Sequence, residues 1–222
     1  MRPKSVDFKG RIIFLTDDPG LLQRQLQGED LEYSDDLALL DNISTDEITP
    51  GWVCFYYDET LARYVYAGLR HGDIGKDALK NAGAAVLVSG LSKGCGSSRE
   101  TAPYAEKWAG VQLILARNIE KIYGQNCQNI GLLTSTDFGL IDRIRAGERI
   151  PLEEFTRGLD AIGADIVRHG GLFPYNQARL RGAVSPLGLR CHHQLDGEGR
   201  WLQQPAEPLD PGSYTLRLRA FG

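Results

Sequence analysis

No pair of cysteines at CxxC spacing occurs in this 222-residue chain; its four cysteines stand alone at 54, 95, 127 and 191. A self-contained zinc or iron–sulfur site built on closely spaced thiolates is therefore disfavoured. Free thiols in a reducing compartment are the expectation. No apolar run approaches the ~20 residues that cross a bilayer, and residues 1–7 lack the apolar core of a secretory leader. A basic excess is missing too. Lys and Arg total 25 against 29 Asp and Glu, a formal net charge of −4, which argues against nucleic acid or an anionic membrane surface as partner. No G-x-S-x-G elbow is present and none of the four histidines sits in a base motif, so a hydrolase built on a serine nucleophile is disfavoured. Repeats and low-complexity tracts are also lacking. What is left is an ordinary globular composition, 42% hydrophobic and 24% charged. A cytoplasmic protein is expected, with chain enough for one sizeable domain and an appendage.

Short apolar, β-branched runs alternate with helical patterns. Strands are expected over residues 11–16, 84–90, 111–116, 130–135 and 164–169. Helices are expected over 21–26, 59–69, 104–110, 118–126, 136–146 and 152–159, with Asn118 capping one and Gly147 stopping another. This alternation predicts an α/β domain around a partly parallel sheet. After about Pro186 the character changes. Cys191-His192-His193-Gln194, a turn-rich Asp196-Gly197-Glu198-Gly199-Arg200 and an alternating run over 213–221 follow, the pattern of a β-hairpin or short β appendage. Adjacent histidines in a strand point to opposite faces, so His192 and His193 do not make a metal site.

The stretch that concentrates chemistry is Ser92-Lys93-Gly94-Cys95-Gly96-Ser97-Ser98-Arg99-Glu100-Thr101-Ala102-Pro103, set between a predicted strand and a predicted helix. Gly94 and Gly96 permit backbone angles barred to other residues and let a ligand approach the main chain. A helix start aims free N–H groups and a positive dipole end at an anion. Ser97 and Ser98 add hydroxyls, and Arg99 a planar guanidinium suited to a carboxylate. The physical reading is an anion or carboxylate site with a hydroxyl in it. Against it stands a plain helix cap, because Ser97-Ser98-Arg99-Glu100 fits the S-x-x-E capping box. A second polar cluster, Asp41-Asn42-Ile43-Ser44-Thr45-Asp46-Glu47-Ile48-Thr49-Pro50, is either a solvated turn or a loop presenting Asn42, Thr45 and Asp46 to a shared site.

Gly94-Cys95-Gly96-Ser97-Ser98-Arg99-Glu100 resembles the G-x-G-S-S-R-E signature of the aconitase superfamily, in its swivelling domain. The Asp41–Pro50 cluster resembles the D-N-I-D-T-D-Q-I-I-P element of the separate small subunits of isopropylmalate isomerase-like hydro-lyases. Residues 118–133 resemble the element in which a helix runs into N-G-L-L. Together the three cover about residues 37–135, in family order. The resemblance implies a three-layer swivelling β/β/α domain over residues 1–186, with 187–222 as a C-terminal β-rich extension that has no counterpart. It implies dehydration and rehydration of a hydroxy di- or tricarboxylate. Ser97 would be the base, Arg99 the carboxylate anchor, and Ser98, Gly96, Asp46 and Thr45 would shape the substrate site. It also implies a [4Fe–4S] cluster, which needs about three protein thiolates. The isolated cysteines leave this chain no cofactor of its own, so the cluster is expected on a large partner subunit. Two departures stand out: Thr101 follows Arg99-Glu100 where the small subunits have His, and Gly51-Trp52-Val53-Cys54 follows Pro50 where leucine-pathway proteins have A-R-F. These leave the individual hydroxy acid open. A non-catalytic carboxylate-binding or regulatory module of the same fold is the alternative expectation.

Overall fold

Strands covered on both faces carry near-continuous apolar runs rather than alternating ones, and the runs at 84–89 and 113–116 are buried at every position. In the computed structural model, which describes residues 1–70, 74–184, 193–195 and 201–203, they are the central strands of a parallel sheet. The first unit, Met1–Val184, contains β1 (Ser5–Val6), β2 (Arg11–Phe14), α1 (Pro19–Leu26), α2 (Thr45–Ile48), α3 (Ala78–Asn81), β3 (Ala84–Ser89), α4 (Thr101–Trp108), β4 (Leu113–Ala116), α5 (Lys121–Ile130), β5 (Leu133–Ser135), α6 (Leu140–Arg145), β6 (Ile150–Pro151), α7 (Ala161–His169) and α8 (Leu172–Leu180). The sheet order is β2-β3-β4-β5, parallel throughout, and β1 pairs antiparallel with β6.

Three layers result. Ile13, Leu15, Leu87 and Ile114 on one sheet face pack with Leu22 of α1, Ile48 of α2, Leu79 of α3, Ala105 of α4 and Cys127 of α5. Ile12, Phe14, Val86, Val88, Leu113 and Leu115 on the other face meet Val6 and Ile150 of the β1–β6 ribbon and Leu140, Ile141 and Ile144 of α6. The layers are thus ribbon, sheet and helices, an α/β fold of the β/β/α kind. In the second unit, Ser185–Gly222, β7 (His193–Leu195) pairs antiparallel with β8 (Trp201–Gln203). The run over 213–221, the turn at 196–200, Cys191-His192 and His71-Gly72-Asp73 lie outside the described residues.

Several local expectations are corrected. Residues 164–169 belong to helix α7, not to a strand: the Asp160 carboxylate accepts from Gly163 N at 2.6 Å, and buried Gly163, Ala164, Ile166 and Val167 follow helical spacing. Helix α5 starts at Lys121, because the Asn118 carbonyl is taken by Lys93 N at 3.0 Å and holds that segment extended. Over 59–69 only a 3₁₀ turn forms, Glu59–Tyr64, and Tyr66 then adopts φ 64°, which no helix continues. Residues 152–155 are likewise 3₁₀.

Strand β2 lies at the sheet edge, where unpaired main-chain groups invite aggregation. Gln25 of α1, 1% exposed, pairs those of Phe14: its Oε1 accepts from Phe14 N at 2.8 Å and its Nε2 donates to Phe14 O at 2.9 Å. Gln25→Ala orphans both groups and is expected to cost about 2–3 kcal/mol. The measurement is the urea unfolding midpoint; an unchanged midpoint would mean that water substitutes for the amide.

Candidate active site

In open parallel sheets the loops leaving the carboxyl ends of the strands form the binding edge. The glycine stretch leaves the end of β3 at that edge. Its backbone is pinned on two sides. Lys93 N donates to Asn118 O at 3.0 Å and Glu120 N to Lys93 O at 2.9 Å; Gly94 N donates to Ile43 O at 2.8 Å and Thr45 N to Cys95 O at 2.9 Å. The turn needs positive φ at Ser92 (53°), Gly94 (83°) and Gly96 (88°). A Cβ added at Gly94 would overlap the Tyr123 ring, whereas one at Gly96 would find Ser44 Cβ at 3.7 Å and Thr45 Oγ1 at 3.8 Å.

The Asp41–Pro50 cluster is not a plain turn. It contains the one-turn helix α2, held by a capping box in which Ser44 Oγ accepts from Glu47 N at 3.2 Å and Glu47 Oε2 accepts from Ser44 N at 2.9 Å. Ahead of it, Asp41 Oδ1 accepts from Leu91 N at 2.6 Å, and Asn42 (φ 53°) donates its N–H to Leu91 O at 2.7 Å. These bonds bring α2 against the glycine loop. Thr45, buried, donates from Oγ1 to Ser97 O at 2.8 Å and lies 3.4 Å from Ser97 Oγ. A hydroxyl carries one proton, so with Thr45 donating to the carbonyl, it is Ser97 that donates across the longer contact. Arg99 Nη1 pairs with Asp46 Oδ1 at 2.5 Å and donates to Thr49 O at 3.0 Å. Thr45, Asp46, Gly96, Ser97 and Arg99 therefore converge. Ser98 is exposed beside them. Asn42 sits at the crossover to Leu91 and bonds to none of them through its main chain.

The helix-cap reading of Ser97-Ser98-Arg99-Glu100 is not what forms. Helix α4 begins at Thr101 with Glu100 as its cap residue, and no side chain caps it. Ser97 and Ser98 are exposed, and among the described residues the Ser97 hydroxyl has Thr45 as its hydrogen-bond contact. The Arg99–Asp46 pair is partly solvated, its side chains 30% and 58% exposed. Such a pair holds about 0–1 kcal/mol, little enough for an incoming carboxylate to displace or share it. Trp52, Phe55 and Tyr57, exposed by 53%, 89% and 63%, follow directly on α2; Tyr57 donates to Glu100 Oε2 at 3.4 Å.

Beneath the loop lies a cluster that the sequence reading missed. Lys93 Nζ, fully buried, donates to Glu106 Oε1 at 2.8 Å and to Tyr66 OH at 2.5 Å; Tyr66 OH donates to Glu106 Oε1 at 2.5 Å, and Tyr123 OH donates to Glu106 Oε2. Burial, and then the Glu106 carboxylate, push the Tyr66 phenol well above its ordinary range; burial also raises Tyr123. Both stay neutral donors. The available signal was a lysine at the root of a glycine turn and a glutamate on the apolar face of α4.

Among the described residues, Cys54, Cys95 and Cys127 are not gathered as ligands. Burial, then the Glu47 carboxylate, raise Cys95; burial raises Cys127 well above the thiol range. Cys54 contacts Thr101 Oγ1 at 3.3 Å. Among the described residues no three His, Cys, Asp or Glu side chains gather as a metal would need, so the donor set of this part of the chain does not fit an iron–sulfur cluster.

The family model described as Aconitase C-terminal domain matches residues 74–136. The 3-isopropylmalate dehydratase small subunit 1 of Methanopyrus kandleri is 35% identical over 132 residues, 54% of this chain and 71% of that one. The 3-isopropylmalate dehydratase small subunit of Methanosarcina mazei is 31% identical over 156 residues, 61% of this chain and 90% of that one. The solved structure of 3-isopropylmalate dehydratase from Methanocaldococcus jannaschii superposes with a TM-score of 0.46 at 25% identity, covering 64% of this chain and 91% of that one. With such identity sustained over most of the length of these relatives, the chain belongs to the family of 3-isopropylmalate dehydratase small subunits, within the aconitase superfamily.

Proposed function

We propose that the chain is the substrate-recognising small subunit of a cytoplasmic two-component hydro-lyase that dehydrates and rehydrates a malate- or citrate-type hydroxy acid. Residues 1–186 form its swivelling domain and 187–222 a β-rich extension. The observation that carries this reading is an open half-site: an exposed serine hydroxyl oriented by Thr45, beside a guanidinium whose present partner, Asp46, is itself a carboxylate. Arg99 binds a substrate carboxylate in the way it now holds Asp46, with Thr45, Gly96 and Ser98 lining the approach. Ser97, once ionised to its alkoxide, takes through Oγ the proton from the carbon next to the one bearing the hydroxyl, becoming the neutral hydroxyl, and on rehydration returns that proton and regenerates the alkoxide.

A serine hydroxyl acts as a base only where preorganised donors stabilise its anion. Thr45 can turn its proton from Ser97 O toward Ser97 Oγ, and the start of α4, which follows the loop at Thr101, adds a positive dipole end; the remainder must come from a partner surface. That partner is a large subunit carrying the [4Fe–4S] cluster, whose chemistry when bound is Lewis-acid activation of the departing hydroxyl. The exposed aromatics Trp52, Phe55 and Tyr57 border the half-site, and a subunit that closes it would cover them. The net charge of −4 supports a small-molecule role rather than nucleic acid or membrane binding.

Co-expression with a cluster-bearing partner, followed by assay on malate-, citramalate- and isopropylmalate-type acids, tests the reading. Activity in the complex and none in either chain alone is the expected result; turnover by the isolated, iron-free chain would overturn the two-component assignment. Arg99→Lys keeps the charge but loses the planar fork. In the complex it is expected to raise KM about tenfold with a smaller change in kcat, the pattern of lost ground-state binding. An unchanged KM would remove Arg99 from the carboxylate role.

A further inference from the structure

The buried Lys93–Glu106 pair needs a reason. Taking two charges out of water is costly, and apolar replacements of similar volume are often as stable or more so. What an ion pair offers that leucine and methionine do not is direction: each proton aims at one acceptor. Here every partner belongs to a different part of the half-site. Lys93 sits between Ser92 and Gly94, both at positive φ, four positions before Ser97. Glu106 is on α4, the helix that follows Arg99. Tyr66 gives its own N–H to Ile48 O, the last residue of α2, at 2.8 Å, and its hydroxyl to the pair. Tyr123 of α5 supplies its hydroxyl to Glu106 and lays its ring against Gly94. Lys93 Nζ also stands 5.4 Å from the centre of that ring. Tyr66 holds φ 64°, an uncommon angle for a bulky residue that the surrounding contacts must enforce.

We propose that Lys93, Glu106, Tyr66 and Tyr123 are positioning residues: one buried hydrogen-bonded cluster that sets the distance between the Thr45–Asp46 turn and the Ser97–Arg99 loop. The cluster touches no substrate. It acts on the reaction through geometry alone, because three of its members are tied to the main chain or helix on which a site residue rides, and the fourth closes the loop from below. The apolar core already holds the sheet and helices together; the cluster adds register between two segments that are far apart in sequence. As a role in catalysis it rests on the function proposed above, whereas the restraint on the loop does not.

Tyr66→Phe removes one hydroxyl and keeps the ring, and the double variant Lys93→Met with Glu106→Leu removes both charges together, so that neither is left buried and unpaired. Hydrogen–deuterium exchange on the full chain is the first measurement. Faster exchange confined to residues 44–50 and 92–100, with β3 and β4 as protected as in the wild type, is the expected result for both variants. Wild-type exchange in those two segments, or an increase spread evenly over the sheet, would overturn the proposal. Should the double variant fail to fold, Tyr66→Phe alone decides. In the complex, Tyr66→Phe is expected to lower kcat about tenfold, since small misplacements of reacting groups have effects of that size or larger, with KM within about threefold. A merely structural hydroxyl would lower the unfolding midpoint and leave kcat of the folded enzyme unchanged, which would also overturn it. Exchange that responds as expected in a chain whose complex shows no Ser97-dependent turnover would sink the functional reading and leave the positioning cluster standing.

Discussion

Ser97→Ala in the assembled complex is expected to reduce turnover by about 10²–10⁴-fold, the usual worth of a positioned acid–base group, while the protein folds as before. The two halves of that expectation come from separate observations. The hydroxyl is exposed and its hydrogen-bond contact among the described residues is a 3.4 Å approach to Thr45, so its removal costs no buried bond; surface changes of this kind stay within about 0.5 kcal/mol. The thermal midpoint should therefore move by no more than about 2 °C for a chain of this size. The helix-cap alternative predicts the reverse pattern, a loss of stability with little loss of rate, and it already conflicts with a helix that starts four residues later without a side-chain cap. A variant with wild-type turnover would take Ser97 out of the role of base.

Gly94→Ala should be the most disruptive single methyl group in the loop. Gly94 holds φ 83° and its missing Cβ would overlap the Tyr123 ring, a side chain itself fixed by Glu106 in the core. Overpacking and left-handed strain together are expected to cost about 3 kcal/mol or more. Gly96→Ala separates the two causes. Gly96 has nearly the same φ, 88°, but a Cβ there has room, so its cost should be that of strain alone, about 1–2 kcal/mol. Urea denaturation of both variants measures the difference. Equal midpoints would show that contact with Tyr123 contributes nothing. Combining Gly94→Ala with Tyr123→Ala should then cost less than the sum of the two single changes, because residues in contact do not act independently.

The parts of the fold that could be read beforehand were those where one local signal had no competitor. Val86, Leu87 and Val88 form an unbroken, β-branched apolar run of strand length, the pattern of a strand buried on both faces, and β3 lies there. Gly147, at φ 74°, ends α6 as expected of a glycine stop. Errors arose where the signal was short or where a distant partner overrode it. Ile166-Val167 looks β-branched and extended, yet Asp160 caps a helix across it. Asn118 was a credible helix cap until Lys93 claimed its carbonyl from 25 positions away. Gly96, Ser97 and Arg99 were legible as site candidates from a glycine turn, hydroxyls and a guanidinium in one short stretch, whereas Thr45 and Asp46 lay in a cluster that residue type alone left open to a solvated turn and entered through the family resemblance. Lys93 and Glu106 were not, since a charge in a sequence is ordinarily a solvated one.

The amino-acid sequence by itself determined the α/β class of fold, the residue types that the glycine loop presents and the absence of CxxC thiol pairs. Each follows from residue type and spacing, which act over a few positions. Tertiary structure alone decided that the Thr45 turn and the Ser97 loop meet, that Arg99 is held by a carboxylate, and that a buried ion pair lies beneath them. The first two contacts join segments about 50 residues apart and the ion pair joins two elements 13 positions apart, and the packing of a parallel sheet, which returns each strand's carboxyl end to the same edge, brings them within reach of a hydrogen bond.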